Sequence, residues 1–246
     1  MYKRPEGLES DCMMGPQELF FYKRVLFVYG PLFPYPHRAD MFSPTLLVDS
    51  MWALDSISHD PITLVIDSPG GSVTAGLNVY DMMKLVKSPV ITVGRNCFSM
   101  AAILLAAGNK GKRYVFPHAS VMLHLPTSQA SDKGYDPLQM AKEAEEFTRV
   151  KEELVDLLMD CGARSDMLKT NMRKKSILKD IDRVFYLTAK EAVEYGIADA
   201  ILQPDDLDLG LFPNGLVPDA CYSKLPARLT TAKRMPAHTP VRQEKK

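Results

Sequence analysis

Short apolar runs alternate with amphipathic segments along most of the chain. The apolar runs are rich in Val, Ile and Leu and end at glycine or polar turns, which is typical of buried strands. The predicted strands are residues 24–30, 62–67, 88–94, 114–116 and 120–124. Apolar residues at helical spacing, or runs of strong helix formers, predict helices in the other segments. The predicted helices are residues 43–58, 72–86, 100–107, 137–159 and 188–196. Strands that alternate with helices predict an α/β domain.

Both ends of the chain lack this pattern. Residues 1–23 are polar and aperiodic, and we predict an N-terminal arm there. Residues 203–246 hold six of the 18 prolines and no run of helical period, which predicts an extended tail rather than a second domain. The alternating pattern therefore assigns a single domain to residues 24–202.

Composition narrows the class of protein. With 246 residues, 46% hydrophobic and 24% charged, the chain suits one sizeable core and is not disordered throughout. Its longest apolar run, Met100–Ala107, is far shorter than the roughly 20 residues of a membrane-spanning helix, and the N-terminus shows no secretory signal. The four cysteines form no C-x-x-C pair, which argues against a zinc site or a disulfide framework. We therefore expect a soluble, cytoplasmic protein.

The 30 basic and 30 acidic side chains cancel, which removes the compositional argument for a general nucleic-acid or membrane binder. The balance is uneven along the chain. Residues 222–246 contain seven Lys or Arg and one Glu, a net charge of +6, and the remainder carries −6. One hypothesis is that this basic tail contacts a neighbouring subunit or an acidic partner.

Two consecutive glycines close the second predicted strand. In Ser68-Pro-Gly-Gly71 they permit positive φ and expose backbone N–H groups. The segment is therefore either a tight turn or a cradle for a phosphate or an oxyanion. The G-x-x-x-x-G-K-[ST] spacing is missing, which argues against nucleotide binding.

A serine and a histidine lie at the ends of two other predicted strands. Ser99 precedes an apolar helix and is either its N-cap or a nucleophile beside the free N–H groups of a helix N-terminus. His124 is either structural or a general base, and His59 and His118 compete with it for that role. Catalytic groups collect at strand ends, so the glycine turn, Ser99 and His124 together favour a catalytic site.

Four separated segments carry a family signature. They are Ser68–Gly76 followed by Tyr80-Asp81, Ser99–Ala102 with Gly108, Phe116–His124, and Glu191–Asp199. In this order they resemble the glycine-turn, nucleophile, histidine and C-terminal helix segments of ClpP, the proteolytic subunit of ATP-dependent Clp proteases. The resemblance extends from about Arg24 to Leu202 and so covers the predicted domain.

The resemblance implies the ClpP/crotonase-type fold, a spiral of ββα units. It implies that Ser99 is the acylating nucleophile, that His124 is its general base, and that the backbone N–H groups of Gly71 and Met100 form the oxyanion hole. It also implies two face-to-face heptameric rings of ClpP-type subunits, with the helix from Pro137 between the rings. An AAA+ unfoldase would use the ATP and supply unfolded protein substrates, so this chain would need no cofactor or metal.

The third catalytic position departs from the family pattern. The family's aspartate aligns without a gap with Val184, and a valine cannot orient an imidazole. Asp182 lies two residues earlier and is a candidate substitute, because residues i and i+2 of a strand share a face. The residues before the nucleophile, Arg95–Phe98, are bulkier than in the family, and segment 125–134 replaces a glycine-rich strand.

These observations leave alternative functions open. The first is an ATP-dependent serine endopeptidase subunit that degrades unfolded proteins. Val184 motivates the alternative, a non-catalytic or weakly active ClpP-like subunit of a mixed ring. A crotonase-like acyl-CoA enzyme shares the fold, but no CoA pocket is indicated. Plastid stroma and mitochondrial matrix are alternative locations.

Overall fold

The structure is a computed structural model that describes residues 20–33, 43–126, 136–167 and 169–203. The predicted arm and tail, residues 1–23 and 203–246, lie almost wholly outside the described residues. Of the arm, only the four residues from Phe20 are described, and they form a helical turn that leads into the first strand. The predictions for both ends therefore stay predictions.

Within the described residues, six strands form one sheet. They are β1 (Val25–Tyr29), β2 (Ile62–Ser68), β3 (Val90–Phe98), β4 (Arg113–Leu123), β5 (Phe185–Thr188) and β6 (Ala200–Ile201). Strands β1 to β4 are parallel and lie in chain order. The C-terminal part of β4 pairs antiparallel with β5, and its N-terminal part pairs parallel with β6.

Helices connect the parallel strands and follow them. They are α1 (Pro44–Ile57), α2 (Val73–Leu85), α3 (Met100–Ala106), α4 (Pro137–Asp160), α5 (Thr170–Ile181) and α6 (Ala189–Tyr195). The cap signals in the sequence fix several ends: Thr188 and Glu191 form a capping box at α6, and Gly196 ends that helix at φ 88°. The α/β class predicted from the alternating pattern is confirmed.

The prediction of two separate strands at 114–116 and 120–124 is wrong. Both segments belong to β4, which stays in the sheet but changes its register against β3: Gly94 pairs with Val115, whereas Asn96 pairs with Ser120. Residues 116–119 thus lie opposite Arg95 alone, and one of them is a proline, which has no N–H to donate to a neighbouring strand. Strand β3 also runs four residues beyond the predicted end at residue 94.

Helix α3 is the centre of the core. All its residues are buried, and it packs in one apolar cluster with β2, β3 and helices α1, α2 and α4. Burial of its Met, Ile and Leu side chains stabilises the position of α3, because each of these contributes about 1.5–3 kcal/mol when removed from water. The N-terminus of this fixed helix follows Ser99 directly. None of the described helices combines the length and hydrophobicity needed to cross a bilayer.

Two buried arginines tie loops to the sheet. The Arg24 side chain donates hydrogen bonds to the carbonyl oxygens of Leu54, Ser58, Asp60 and Pro61 and to the hydroxyl of Ser88. Arg113 donates to both carboxylate oxygens of Asp199, at 2.6 and 3.0 Å. It also donates to the carbonyl oxygens of Ala106, Cys161 and Gly196. Five donors in a fixed fork make arginine suited to fastening several carbonyls at once.

Candidate active site

Ser99 occupies a strained turn between a buried strand and a buried helix. Its backbone has φ 57° and ψ −124°, a region that serine rarely adopts and that costs of order 1–3 kcal/mol. Its N–H donates to the carbonyl of Met122 at 2.8 Å, which ties the turn to β4. Ser99 occupies the N-cap position of α3, as one alternative predicted, but its side chain makes no capping hydrogen bond to the helix. Ser99 is half-buried, and its hydroxyl makes no hydrogen bond within the described residues.

The two glycines after β2 lie directly against this turn. Gly70 has φ 84°, and a Cβ on it would lie 2.7 Å from the Ser99 Cβ and 2.5 Å from the Phe98 carbonyl oxygen. Gly71 has φ 147°, and a Cβ there would collide with the carbonyl oxygen of Leu32. Only glycine therefore fits at either position, and their small size lets the turn approach Ser99 closely.

Two backbone N–H groups near Ser99 are free. Leu32 donates to the Gly70 carbonyl and accepts from the Ser72 N–H, each at 2.8 Å, which leaves the Gly71 N–H outside this bridge. The Met100 N–H is at the first turn of α3 and lacks an acceptor within that helix. Neither N–H donates a hydrogen bond within the described residues. Two free donors near a serine are the groups that a developing oxyanion requires.

All four predicted site residues line one cavity of about 350 Å³. Ser99, His124, Gly71 and Met100 lie on its wall. Apolar side chains supply much of the remainder, among them Ile103, Leu123, Leu154, Leu158 and Ile181. An apolar cavity with a few polar groups is the usual form of a binding site. The fold therefore brings the predicted site residues together at one cavity.

Of the histidines that the structure describes, His124 is the one at this cavity. His59 lies beyond the end of α1, where its Nδ1 is 3.2 Å from an Asp55 oxygen, and His118 is an exposed residue of β4. The half-buried His124 ring has no hydrogen bond within the described chain, either to the Ser99 hydroxyl or to a carboxylate. Catalytic hydrogen bonds are commonly longer in a free enzyme than with substrate bound.

The hypothesis that Asp182 faces His124 from a strand is not supported by the backbone. Asp182 is the C-cap of α5, with helical φ −59° and ψ −23°, and β5 starts only at Phe185. Its side chain is exposed. Among the described residues, no acidic side chain lines the cavity. Val184 directly precedes β5 and is exposed.

Among the described residues, neither a metal site nor a reactive cysteine is found next to Ser99. The described residues contain no group of three or more His, Cys, Asp or Glu side chains arranged to hold a metal. Cys97 lies two residues before Ser99, but it is fully buried and its Sγ is 3.6 Å from the Ile66 carbonyl oxygen. Burial raises the pKa of the Cys97 thiol, so it stays protonated and unreactive.

Comparison with known proteins identifies the family. A family model described as Clp protease matches residues 26–205. The ATP-dependent Clp protease proteolytic subunit 3 of Synechococcus sp. (strain CC9605) is 44% identical over 158 residues, which cover 63% of this chain and 74% of the relative. Subunit 3 of Parasynechococcus marenigrum (strain WH8102) is 43% identical with the same coverage. Subunit 2 of Prochlorococcus marinus (strain MIT 9312) is 42% identical over 63% of this chain and 73% of the relative.

The chain belongs to the Clp protease family. The resemblance seen in the four sequence segments is therefore confirmed, and so is the fold class that it implied. Clp protease proteolytic subunits are hydrolases that act in proteolysis and assemble with other ClpP-type subunits. The matched residues begin in β1 and contain the whole cavity.

One face of helix α4 also forms part of the cavity. Lys151, Leu154 and Leu158 of α4 line it, although the helix was predicted only as a contact between rings. The signal was present: these residues are spaced i, i+3 and i+7, which places them on one helix face. The fold brings that face to the N-terminus of α3.

Proposed function

We propose that this chain is a catalytically active serine endopeptidase subunit of an ATP-dependent Clp protease, with Ser99 as the nucleophile. The observation that carries the proposal is the strained turn at Ser99, whose free hydroxyl lies in one cavity with His124 and two free backbone N–H groups. Strain of this kind persists only where the surrounding structure enforces it, and it concentrates at functional sites.

The proposed chemistry is acyl transfer. His124 takes the Ser99 proton as the Ser99 oxygen attacks the scissile carbonyl. The N–H groups of Gly71 and Met100 then stabilise the negative charge on the carbonyl oxygen. His124 returns the proton to the leaving amine, and an ester to Ser99 remains. Water activated by His124 hydrolyses the ester and regenerates the free serine.

The valine at the third catalytic position sets the expected rate. Without a carboxylate on the other ring nitrogen, His124 is free to adopt the unproductive tautomer, and its cation is less stabilised in the transition state. In a serine protease the loss of this carboxylate lowers kcat by about 10⁴-fold, and the remaining groups still catalyse. We therefore propose a slow peptidase rather than an inert subunit.

The partners follow from the same proposal. Other ClpP-type subunits complete the rings, in a homo- or hetero-oligomer, and an AAA+ unfoldase uses the ATP and supplies unfolded proteins. Two relatives from different organisms carry the name ATP-dependent Clp protease proteolytic subunit 3, which supports this arrangement. The predicted cytoplasmic location also stays part of the proposal.

A covalent probe tests the assignment. The assembled protein is treated with a fluorescent fluorophosphonate, and the label is located by peptide mass spectrometry. We expect label on the Ser99 peptide, loss of label in Ser99→Ala, and retained label in the control Ser56→Ala, an exposed serine of α1. If the assembled protein takes no label, and Ser99→Ala hydrolyses a peptide as well as the wild type does, the chain is instead a non-catalytic subunit of a mixed ring.

A further inference from the structure

Lys151 is the charged side chain of the cavity beside Ser99. It lies on the face of α4 that carries Leu154 and Leu158, and all three residues line the cavity. The two leucines are buried and Lys151 is half-buried, so the lysine marks the point where the core-facing stripe of α4 reaches the cavity. Lysine at such a position buries its alkyl stem against apolar surface and presents its ammonium group at the rim.

Lys151 has no carboxylate partner within the described residues. It makes no ion pair or hydrogen bond there, and its i±3 and i±4 neighbours on α4 are Phe147, Thr148, Leu154 and Val155. An arginine two residues earlier on the same helix is different: Arg149 pairs with Glu146 at 2.6 Å and with Glu153 at 3.0 Å. Lys151 is therefore placed unlike an ordinary charge on a solvated helix face.

Among the described residues, the lining of the cavity supplies no opposite charge. It contains no Asp or Glu, and apolar side chains such as Leu154, Leu158 and Ile103 form much of it. In such surroundings a cation attracts an anionic group more strongly than at an open surface, because water screens the pair less. The counterion would therefore come from an anionic group on the molecule that the cavity binds.

We propose that Lys151 selects an acidic side chain, Asp or Glu, on the substrate residue that supplies the scissile carbonyl. The inference rests on the proposed function. When that carbonyl lies against Ser99 with its oxygen towards Gly71 and Met100, the side chain of the same residue enters the cavity that these groups share with Lys151. The apolar wall takes the methylene groups, and the ammonium group pairs with the carboxylate.

Matched peptide substrates test this specificity. Two fluorogenic peptides differ only by Glu or Gln at the residue before the scissile bond. We expect kcat/KM of the assembled wild type to be about tenfold higher for the Glu peptide, the worth of one charge-assisted hydrogen bond. In Lys151→Met the Glu/Gln ratio falls to about one, and in Lys151→Glu it falls below one. Added salt lowers the wild-type ratio.

Lys142→Met is the control, because Lys142 is an exposed residue of the same helix that does not line the cavity. It removes the same charge and is expected to keep the wild-type ratio. An equal Glu/Gln ratio in the wild type and in Lys151→Met overturns the inference, as does a Lys142→Met variant that loses the preference equally.

A binding measurement separates this inference from the proposed catalysis. In Ser99→Ala, fluorescence anisotropy compares two peptide amides that end in Glu or Gln, so that neither carries a terminal carboxylate. We expect tighter binding of the Glu peptide by about tenfold, and loss of the difference when Lys151→Met is added. Absence of fluorophosphonate label in the wild type would contradict only the proposed catalytic function. Equal affinities for the two peptides would contradict only the proposed role of Lys151.

Discussion

His124 and Val184 flank the last residue pair of the antiparallel strands β4 and β5. The two strands pair Met122 with Tyr186 and Leu123 with Phe185, so His124 directly follows β4 and Val184 directly precedes β5. Beyond this pair the Leu125 N–H donates to the Ile181 carbonyl at 3.1 Å, which keeps the two chain segments together. Residue 184 is therefore the position at which we test a carboxylate for orienting the imidazole, and the chain has an isopropyl group there, 58% exposed.

Val184→Asp is expected to raise peptidase activity. The carboxylate holds His124 in the productive tautomer and stabilises its cation, and the gain in kcat/KM has an upper bound of about 10⁴-fold. The measurement is hydrolysis of a fluorogenic peptide together with the rate of fluorophosphonate labelling at Ser99. Arg183→Asp is the control, because it adds the same carboxylate at an exposed position one residue further from β5. Equal rates for both variants and the wild type would show that residue 184 does not face the histidine.

Asp182→Asn is expected to leave the acylation rate unchanged. Asp182 is the exposed C-cap of α5 and makes no hydrogen bond to His124, so its charge has no role in orienting the ring. The rate of fluorophosphonate labelling measures acylation separately from later steps. A fall of tenfold or more at an unchanged melting temperature would place the Asp182 carboxylate in the catalytic site.

Gly70→Ala is expected to remove activity and to destabilise the protein more than Gly111→Ala does. Both glycines have similar positive φ, 84° and 79°, so alanine suffers a similar backbone strain at each. A Cβ at Gly111 meets nothing within 4 Å, whereas at Gly70 it lies 2.7 Å from the Ser99 Cβ. The difference between the two melting temperatures, with the Ser99 labelling rates, therefore isolates the steric support of the nucleophile. Equal effects would refute that support.

Local signals were sufficient to predict most helices and strands. The caps at Thr188 and Gly196 and the apolar runs of β1 to β3 depend on neighbours in sequence, so they are readable from the chain. Helix α5 was missed because it is strongly polar and buries only Ile177 and Ile181. Strands β5 and β6 are four and two residues long, and they are ordered by pairing with β4 rather than by their own pattern.

In the candidate site, too, some features follow from local sequence and others from tertiary contacts. The sequence singles out Ser99, His124 and the glycine turn because each lies at or after the end of a predicted strand, and because four segments resemble one family. Contrary to the prediction from the sequence, Asp182 is not on a strand, because helix α5 continues up to it. The spacing of Lys151, Leu154 and Leu158 shows that they share one face of α4, but which element that face meets is a tertiary contact that no local pattern encodes.

Acid is expected to destabilise the protein between about pH 4 and pH 2, partly through Asp55. Burial alone would raise the pKa of Asp55, but hydrogen bonds from the Ser88 hydroxyl and N–H outweigh it and lower the pKa to about 2. The unfolded chain, with an ordinary pKa near 3.9, binds more protons than the folded protein in this range. The stabilisation is therefore complete above pH 4 and is lost as the pH falls through 2.

Urea unfolding of the assembled protein at several pH values measures this contribution. Asp55→Asn is expected to lower the stability at pH 7 and to flatten its dependence on pH between 4 and 2. Asp81→Asn, which changes an exposed carboxylate of α2, is expected to keep the wild-type slope. A slope that Asp55→Asn leaves unchanged would assign the acid sensitivity to other groups, of which Asp199 is the first to examine.

Arg113→Met is expected to be strongly destabilising. Arg113 is 4% exposed, and its guanidinium is shared among the Asp199 carboxylate and three carbonyl oxygens from α3, the end of α4 and the turn after α6. Burial alone would raise the pKa of Asp199, but its hydrogen bonds from Arg113 keep the pKa below the usual value. Removing one partner of such a pair leaves an uncompensated charge and costs about 3–5 kcal/mol.

A double variant shows whether that cost comes from the stranded charge. Arg113→Met with Asp199→Asn removes both charges, and we expect it to unfold at a higher temperature than Arg113→Met alone. Arg149→Ala is the comparison for an exposed pair, since its ion pairs with Glu146 and Glu153 lie on the solvent side of α4, and pairs of that kind contribute little. If Arg149→Ala lowers the melting temperature as much as Arg113→Met does, burial is not what makes the Arg113 network important. If the double variant is no more stable than Arg113→Met, the cost lies instead in the three carbonyl oxygens left without a donor.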